Sequence, residues 1–104
     1  MKDWTKSLLL EEIEKDQITV IYFYTPMCGT CQVAKKMLEV TKELFPSFQF
    51  GMLDVNYIPD ISVKWEIESV PCLMVFQNGE ILEKIYAFHS VEYLYNLFKS
   101  IQTT

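Results

Sequence analysis

Residues 18–32 read ITVIYFYTPMCGTCQ. Seven β-branched or aromatic residues lead into a breaker, and two cysteines three positions apart follow it. The run 18–24 shows no clean alternation of apolar and polar residues, which is how a strand buried on both faces reads. Pro26 and Gly29 interrupt it. From 31 to 45 the pattern becomes helical: Val33, Met37 and Leu44 with Ala34, Leu38 and Phe45 make a broad apolar stripe, and Pro46 stops it. Two cysteines at such a junction are a redox pair, half of a metal site, or two inert thiols.

On the N-terminal side, Asp3 is placed to cap a first helix in which Trp4, Leu8 and Ile13 fall near helical spacing, running to about residue 16. On the C-terminal side, 48–55 reads as a second strand, and Pro59 suits the first turn of a short helix through Trp65. After the segment ESVP comes a strand over 72–76, closed by Asn78-Gly79. Asn-Gly between two strand-like runs is a strong hairpin signal, because a type I′ turn needs positive φ at both positions. Residues 81–88 then return antiparallel. Ser90 caps a last helix, where Val91, Leu94, Tyr95, Phe98 and Ile101 share a face. The order αβαβαββα predicts an α/β fold with parallel crossovers first and one hairpin after them. The expected product is a small mixed sheet covered by helices on both faces.

With 104 residues, no repeat and no Gly/Ser linker, the chain is expected to be one domain, 1–104. Half of the residues are hydrophobic, so low hydrophobicity gives no reason for disorder. The net charge of −5, without a basic cluster, argues against a nucleic-acid partner. The apolar run near the N-terminus is three leucines closed by Glu11 and Glu12, too short for a signal-peptide core, and 18–24 is too short to span a bilayer. The expectation is a cytoplasmic monomer with no membrane association. Three cysteines cannot all pair within one chain. In a reducing compartment a close Cys pair is more often catalytic or metal-binding than structural.

Cys28 stands where the strand ends and the helix begins, among backbone N–H groups that lack helical partners. The helix dipole favours negative charge there and lowers a thiol pKa. Cys31 is one turn on along the same face, within reach of a disulfide. One cysteine then attacks a substrate disulfide and the other resolves the mixed disulfide. The rival reading is a zinc or iron–sulfur module, for which one CxxC supplies two of four ligands, with Cys72 and His89 as the remaining candidates. Cys72 beside Pro71 reads more simply as a small core residue and His89 as a solvated loop residue. Lys35 and Lys36 read as exposed helix lysines. Met27, Thr30, Val70 and Phe88 are candidates for an apolar groove around the sulfurs.

The strand VIYFYT, the motif Cys28-Gly29-Thr30-Cys31 opening a helix, SVP about forty residues later and FQNGE after it resemble the thioredoxin family along nearly the whole chain. The resemblance implies a thioredoxin fold of four main strands and a protein disulfide reductase that needs no cofactor of its own. It implies Cys28 as nucleophile, Cys31 as resolving thiol, and substrate contacts at Met27, Gly29, Thr30, Val70 and Pro71. It also implies that Pro71 is cis beside the cysteines, with Val70 offering backbone groups to an extended substrate. Implied partners are disulfide-containing proteins and an electron donor of the thioredoxin-reductase or low-molecular-weight-thiol type. Met27 stands where the family commonly has Trp, and Gly-Thr replaces Gly-Pro between the cysteines. Tyr22 replaces a buried acid, Met52 its usual lysine partner, and Ala87 a glycine. These departures point to a thioredoxin-like protein with narrower partners. A redox-inert adaptor on the same fold is the third reading.

Overall fold

A computed structural model describes residues 1–103; the last residue of the expected domain, Thr104, lies outside the described residues. The elements are α1 (Lys6–Glu12), β1 (Thr19–Tyr24), α2 (Gly29–Lys42), β2 (Gln49–Asp54), a 3-10 turn (Val55–Tyr57), α3 (Pro59–Lys64), β3 (Cys72–Gln77), β4 (Glu80–Ile85) and α4 (Val91–Gln102). The four strands form one sheet in the order β2-β1-β3-β4. β1 is central, and its alternate residues enter different layers. Val20 and Tyr22 pack with Leu38, Leu94 and Phe98 from α2 and α4. Ile21 and Phe23 pack with Leu9 and Ile61 from α1 and α3. Burial on both faces is the reason that the stretch 18–24 carries no alternation.

β1 and β2 are parallel, as a helical crossover favours. The second connection corrects the sequence reading. β3 lies antiparallel to β1, with Phe23 opposite Cys72, so the chain crosses the sheet instead of adding another parallel strand. This reversal places the start of β3 and the end of β1 at the same sheet end. The hairpin behaves as expected: Asn78 and Gly79 have φ of 54° and 77°, and β4 returns antiparallel.

The first helix is the other correction. Asp3 does not cap it. Residues 2–4 run extended along β2, with Trp4 N–H donating to the Met52 carbonyl (2.8 Å) and Met52 N–H to the Lys2 carbonyl (3.2 Å). Thr5 is the cap, its hydroxyl accepting from Leu8 N–H at 3.1 Å. The helix ends at Glu12 rather than near 16. The carbonyls of Ile13 and Lys15 instead accept from Gly79 N–H (2.8 Å) and Asn78 N–H (2.9 Å), so the hairpin claims groups that further helix would have used. Trp4 lies flat over Gly51, where a Cβ would come within 2.3 Å of the indole.

Candidate active site

The junction between β1 and α2 puts Cys28 at the N-cap of a 14-residue helix. Its Sγ accepts from Cys31 N–H at 3.2 Å and lies 3.3 Å from the Thr30 hydroxyl. Both contacts stabilise negative charge on that sulfur, in addition to the dipole of a helix with no acidic residue in its first turn. Cys31 follows inside the helix with 2% exposure, whereas Cys28 is half-buried. The two form a disulfide with Cα atoms 5.2 Å apart. The accessible and the sheltered sulfur are thereby distinguished by the fold.

The Val70–Pro71 bond is cis, and the Val70 carbonyl oxygen lies 4.0 Å from Cys28 Sγ. Pro71 lines a groove of about 430 Å³ with Thr30, Ala34, Tyr86, Phe88 and His89. The structure therefore brings Thr30, Val70, Pro71 and Phe88 to one side of the disulfide. Met27 is 96% exposed and stands on the rim beside Cys28, outside the groove lining. Gly29 is exposed as well, and a Cβ there would meet nothing within 4 Å. His89, at φ 59°, packs edge-on against Tyr93 (4.6 Å between ring centres).

Tyr22 fills the place where a buried acid was expected. Its ring is fully buried between Tyr24 (5.6 Å, parallel) and Phe88 (6.1 Å, edge-on), and its hydroxyl donates to the Cys31 carbonyl. Burial pushes its pKa up to about 12, so the phenol stays neutral and is no base near neutrality. Tyr24 donates to the Asp3 carboxylate, and burial with that partner raises its pKa too. A second cavity of about 670 Å³ is lined by Tyr22, Met52 and Cys31 together with Lys35 and Glu39. Lys35 faces Glu39 at 3.9 Å, in keeping with an ordinary surface pair along α2.

Cys72 is completely buried, and burial pushes its thiol up to about 11, with Lys84 pulling slightly the other way. It is a neutral, fully buried core thiol, poorly placed to attack a substrate near neutrality. Among the described residues no three His, Cys, Asp or Glu side chains gather where they could hold a metal ion. The geometry does not favour the metal reading. No described helix is long and apolar enough to cross a membrane.

What sequence reasoning missed is the support around the loop before Pro71. Tyr86 and Lys84, both reaching back from the β4 side, bond to backbone groups of residues 65–68. A tyrosine and a lysine two apart near a strand end carry no signal of that. The contact exists only because β4 and the end of α3 meet in space.

A family model described as Thioredoxin matches residues 2–100. The chain is 51% identical over 90 residues to the thioredoxin-like protein YusE of Bacillus subtilis (strain 168), covering 86% of this chain and 84% of that protein. It is 34% identical over 73 residues to thioredoxin-1 of Saccharomyces cerevisiae, covering 70% and 71%. Among solved structures, thioredoxin from Trypanosoma brucei brucei superposes with a TM-score of 0.85 over 100% of this chain and 91% of that one. At 18% identity that likeness speaks to fold alone.

Proposed function

The chain belongs to the thioredoxin family and is a thiol–disulfide oxidoreductase; from that premise we propose that Cys28 is the nucleophile, Cys31 the resolving thiol, and disulfides of cytoplasmic proteins the substrates. The observation that carries the assignment is the asymmetry of the pair: Cys28 at the N-cap, reachable and hydrogen-bonded, against Cys31 at 2% exposure.

In the reaction, Cys28 thiolate attacks one sulfur of a substrate disulfide. That S–S bond breaks, one substrate thiolate leaves and takes up a proton, and a mixed disulfide joins Cys28 to the substrate. Cys31 then loses its proton and attacks Cys28 Sγ. The second substrate thiolate departs and is protonated, and the Cys28–Cys31 disulfide remains. Two electrons and two protons have passed to the substrate. They are returned by a reductase or by a low-molecular-weight thiol. Val70 and Pro71 align an extended substrate segment, while Met27, Gly29 and Thr30 meet it at the rim. With Tyr22 neutral, water in the adjoining cavity or the departing thiolate takes the Cys31 proton. We read residues 1–104 as one domain working as a monomer. We read its compartment as the cytoplasm; a free buried thiol beside a redox pair supports that reading, since such a compartment keeps thiols reduced.

Differential alkylation of the reduced protein tests the roles. Cys28 should be labelled at least tenfold faster than Cys31 at pH 7, with a pKa below the free-thiol value of about 8.5. Equal labelling rates would remove the assignment.

A further inference from the structure

The segment that leads to Val70 is held in an unusual way. α3 ends in a backbone motif in which Glu66 N–H donates to the Val63 carbonyl (3.2 Å) and Ile67 N–H to the Ser62 carbonyl (2.9 Å). That pairing calls for a left-handed residue just past the helix, where glycine is usual. Here it is Glu66, with φ 53°. A non-glycine residue in that region is strained and persists when its surroundings hold it there.

The surroundings are two side chains from the β4 side. Lys84 Nζ donates to the carbonyls of Trp65 (3.2 Å) and Glu66 (3.1 Å). Tyr86 hydroxyl donates to the Glu66 carbonyl (3.1 Å) and accepts from Glu68 N–H (3.2 Å). Tyr86 thus clamps the turn on both sides of Ile67. The same Tyr86 lines the groove beside Pro71, Thr30 and Phe88, and the clamped turn runs within two residues into Val70, whose carbonyl stands 4.0 Å from Cys28 Sγ.

We propose that Tyr86, seconded by Lys84, is a positioning residue for protein substrates: it fixes the 66–70 segment so that the Val70 backbone is ready to pair with an extended chain. The inference rests on the oxidoreductase reading. It explains what a cap alone would not, namely why the clamp sits on the one loop that carries the substrate-facing backbone. A loose segment would have to be ordered at the moment of binding, and ordering cost appears in affinity. A small disulfide that does not pair with Val70 makes no such demand.

The test is Tyr86→Phe, which keeps the ring and removes the hydroxyl, with Lys84→Met as a second variant at an exposed position. Both are assayed with insulin and with 5,5′-dithiobis(2-nitrobenzoic acid), using dithiothreitol as the electron source, and amide exchange is followed at Glu68. The expected result is a roughly fivefold fall in the ratio of insulin kcat/KM to the small-disulfide rate, about the worth of one net hydrogen bond. The fall should be carried by KM, with faster exchange at Glu68. Unchanged insulin KM, or equal losses on both substrates, overturns the proposal even if the melting temperature drops, because a plain helix cap would do that. If the wild-type chain reduces the small disulfide but not insulin, the protein-substrate reading fails first, and the clamp with it.

Discussion

At the scale of single residues, Tyr22 is the departure from the family pattern that bears most directly on proton transfer. Its hydroxyl is committed to the Cys31 carbonyl, and its pKa of about 12 removes it from proton transfer near neutrality. Tyr22→Asp should destabilise the fold by several kcal/mol, since a large buried ring is lost and an unpaired carboxylate faces Met52. It should nonetheless resolve the mixed disulfide about tenfold faster than Tyr22→Asn, because a positioned carboxylate can accept the Cys31 proton. Both variants lose the tyrosine hydroxyl and a similar volume, so their difference isolates the charge. Rapid-mixing kinetics on a mixed-disulfide adduct checks this, and identical resolution rates across neutral pH would contradict it. The cysteine pair was legible in the sequence because its chemistry is local, a motif at a strand-to-helix junction, whereas Pro71 beside it was legible only through the family resemblance. The partner of the Tyr22 hydroxyl was not, since it depends on how β1 and α2 stack.

At the scale of elements, local signals held where no distant group competed with them. Pro59 opens α3, Ser90 caps α4 and Asn78-Gly79 makes the hairpin, each with its own backbone preference. They failed where tertiary hydrogen bonds intervened, as just past α1, where the carbonyls of Ile13 and Lys15 serve the hairpin. The turn is therefore coupled to the helix. Gly79→Ala keeps its hydrogen bonds but places a side chain at φ 77°. The Glu14 carboxylate near its Cβ ends a flexible side chain and can swing away, leaving the backbone strain as the cost. Thermal unfolding should show a loss of about 1–2 kcal/mol, a fall in Tm of roughly 5–10 °C. An unchanged Tm would show that the turn does not need left-handed backbone at residue 79.

At the scale of the whole molecule, the antiparallel placement of β3 makes the site. It returns the chain across β1 so that Val70, Pro71 and Cys72 arrive at the end of the sheet where Tyr24 hands over to Cys28. The element order did not reveal this, since a helical connection more often joins parallel strands. Cys72 is completely buried there, in keeping with the expectation of a small core residue. The central claim is an ordered relay, Cys28 first and Cys31 second. Its most direct measurement is intact mass after reduced Cys31→Ser and Cys28→Ser variants meet a disulfide-bonded protein such as insulin. Cys31→Ser should accumulate a one-to-one adduct through Cys28 that persists until a thiol is added, and Cys28→Ser should form almost none. An adduct through Cys31 in Cys28→Ser at a comparable rate, or none in either variant, would contradict the account.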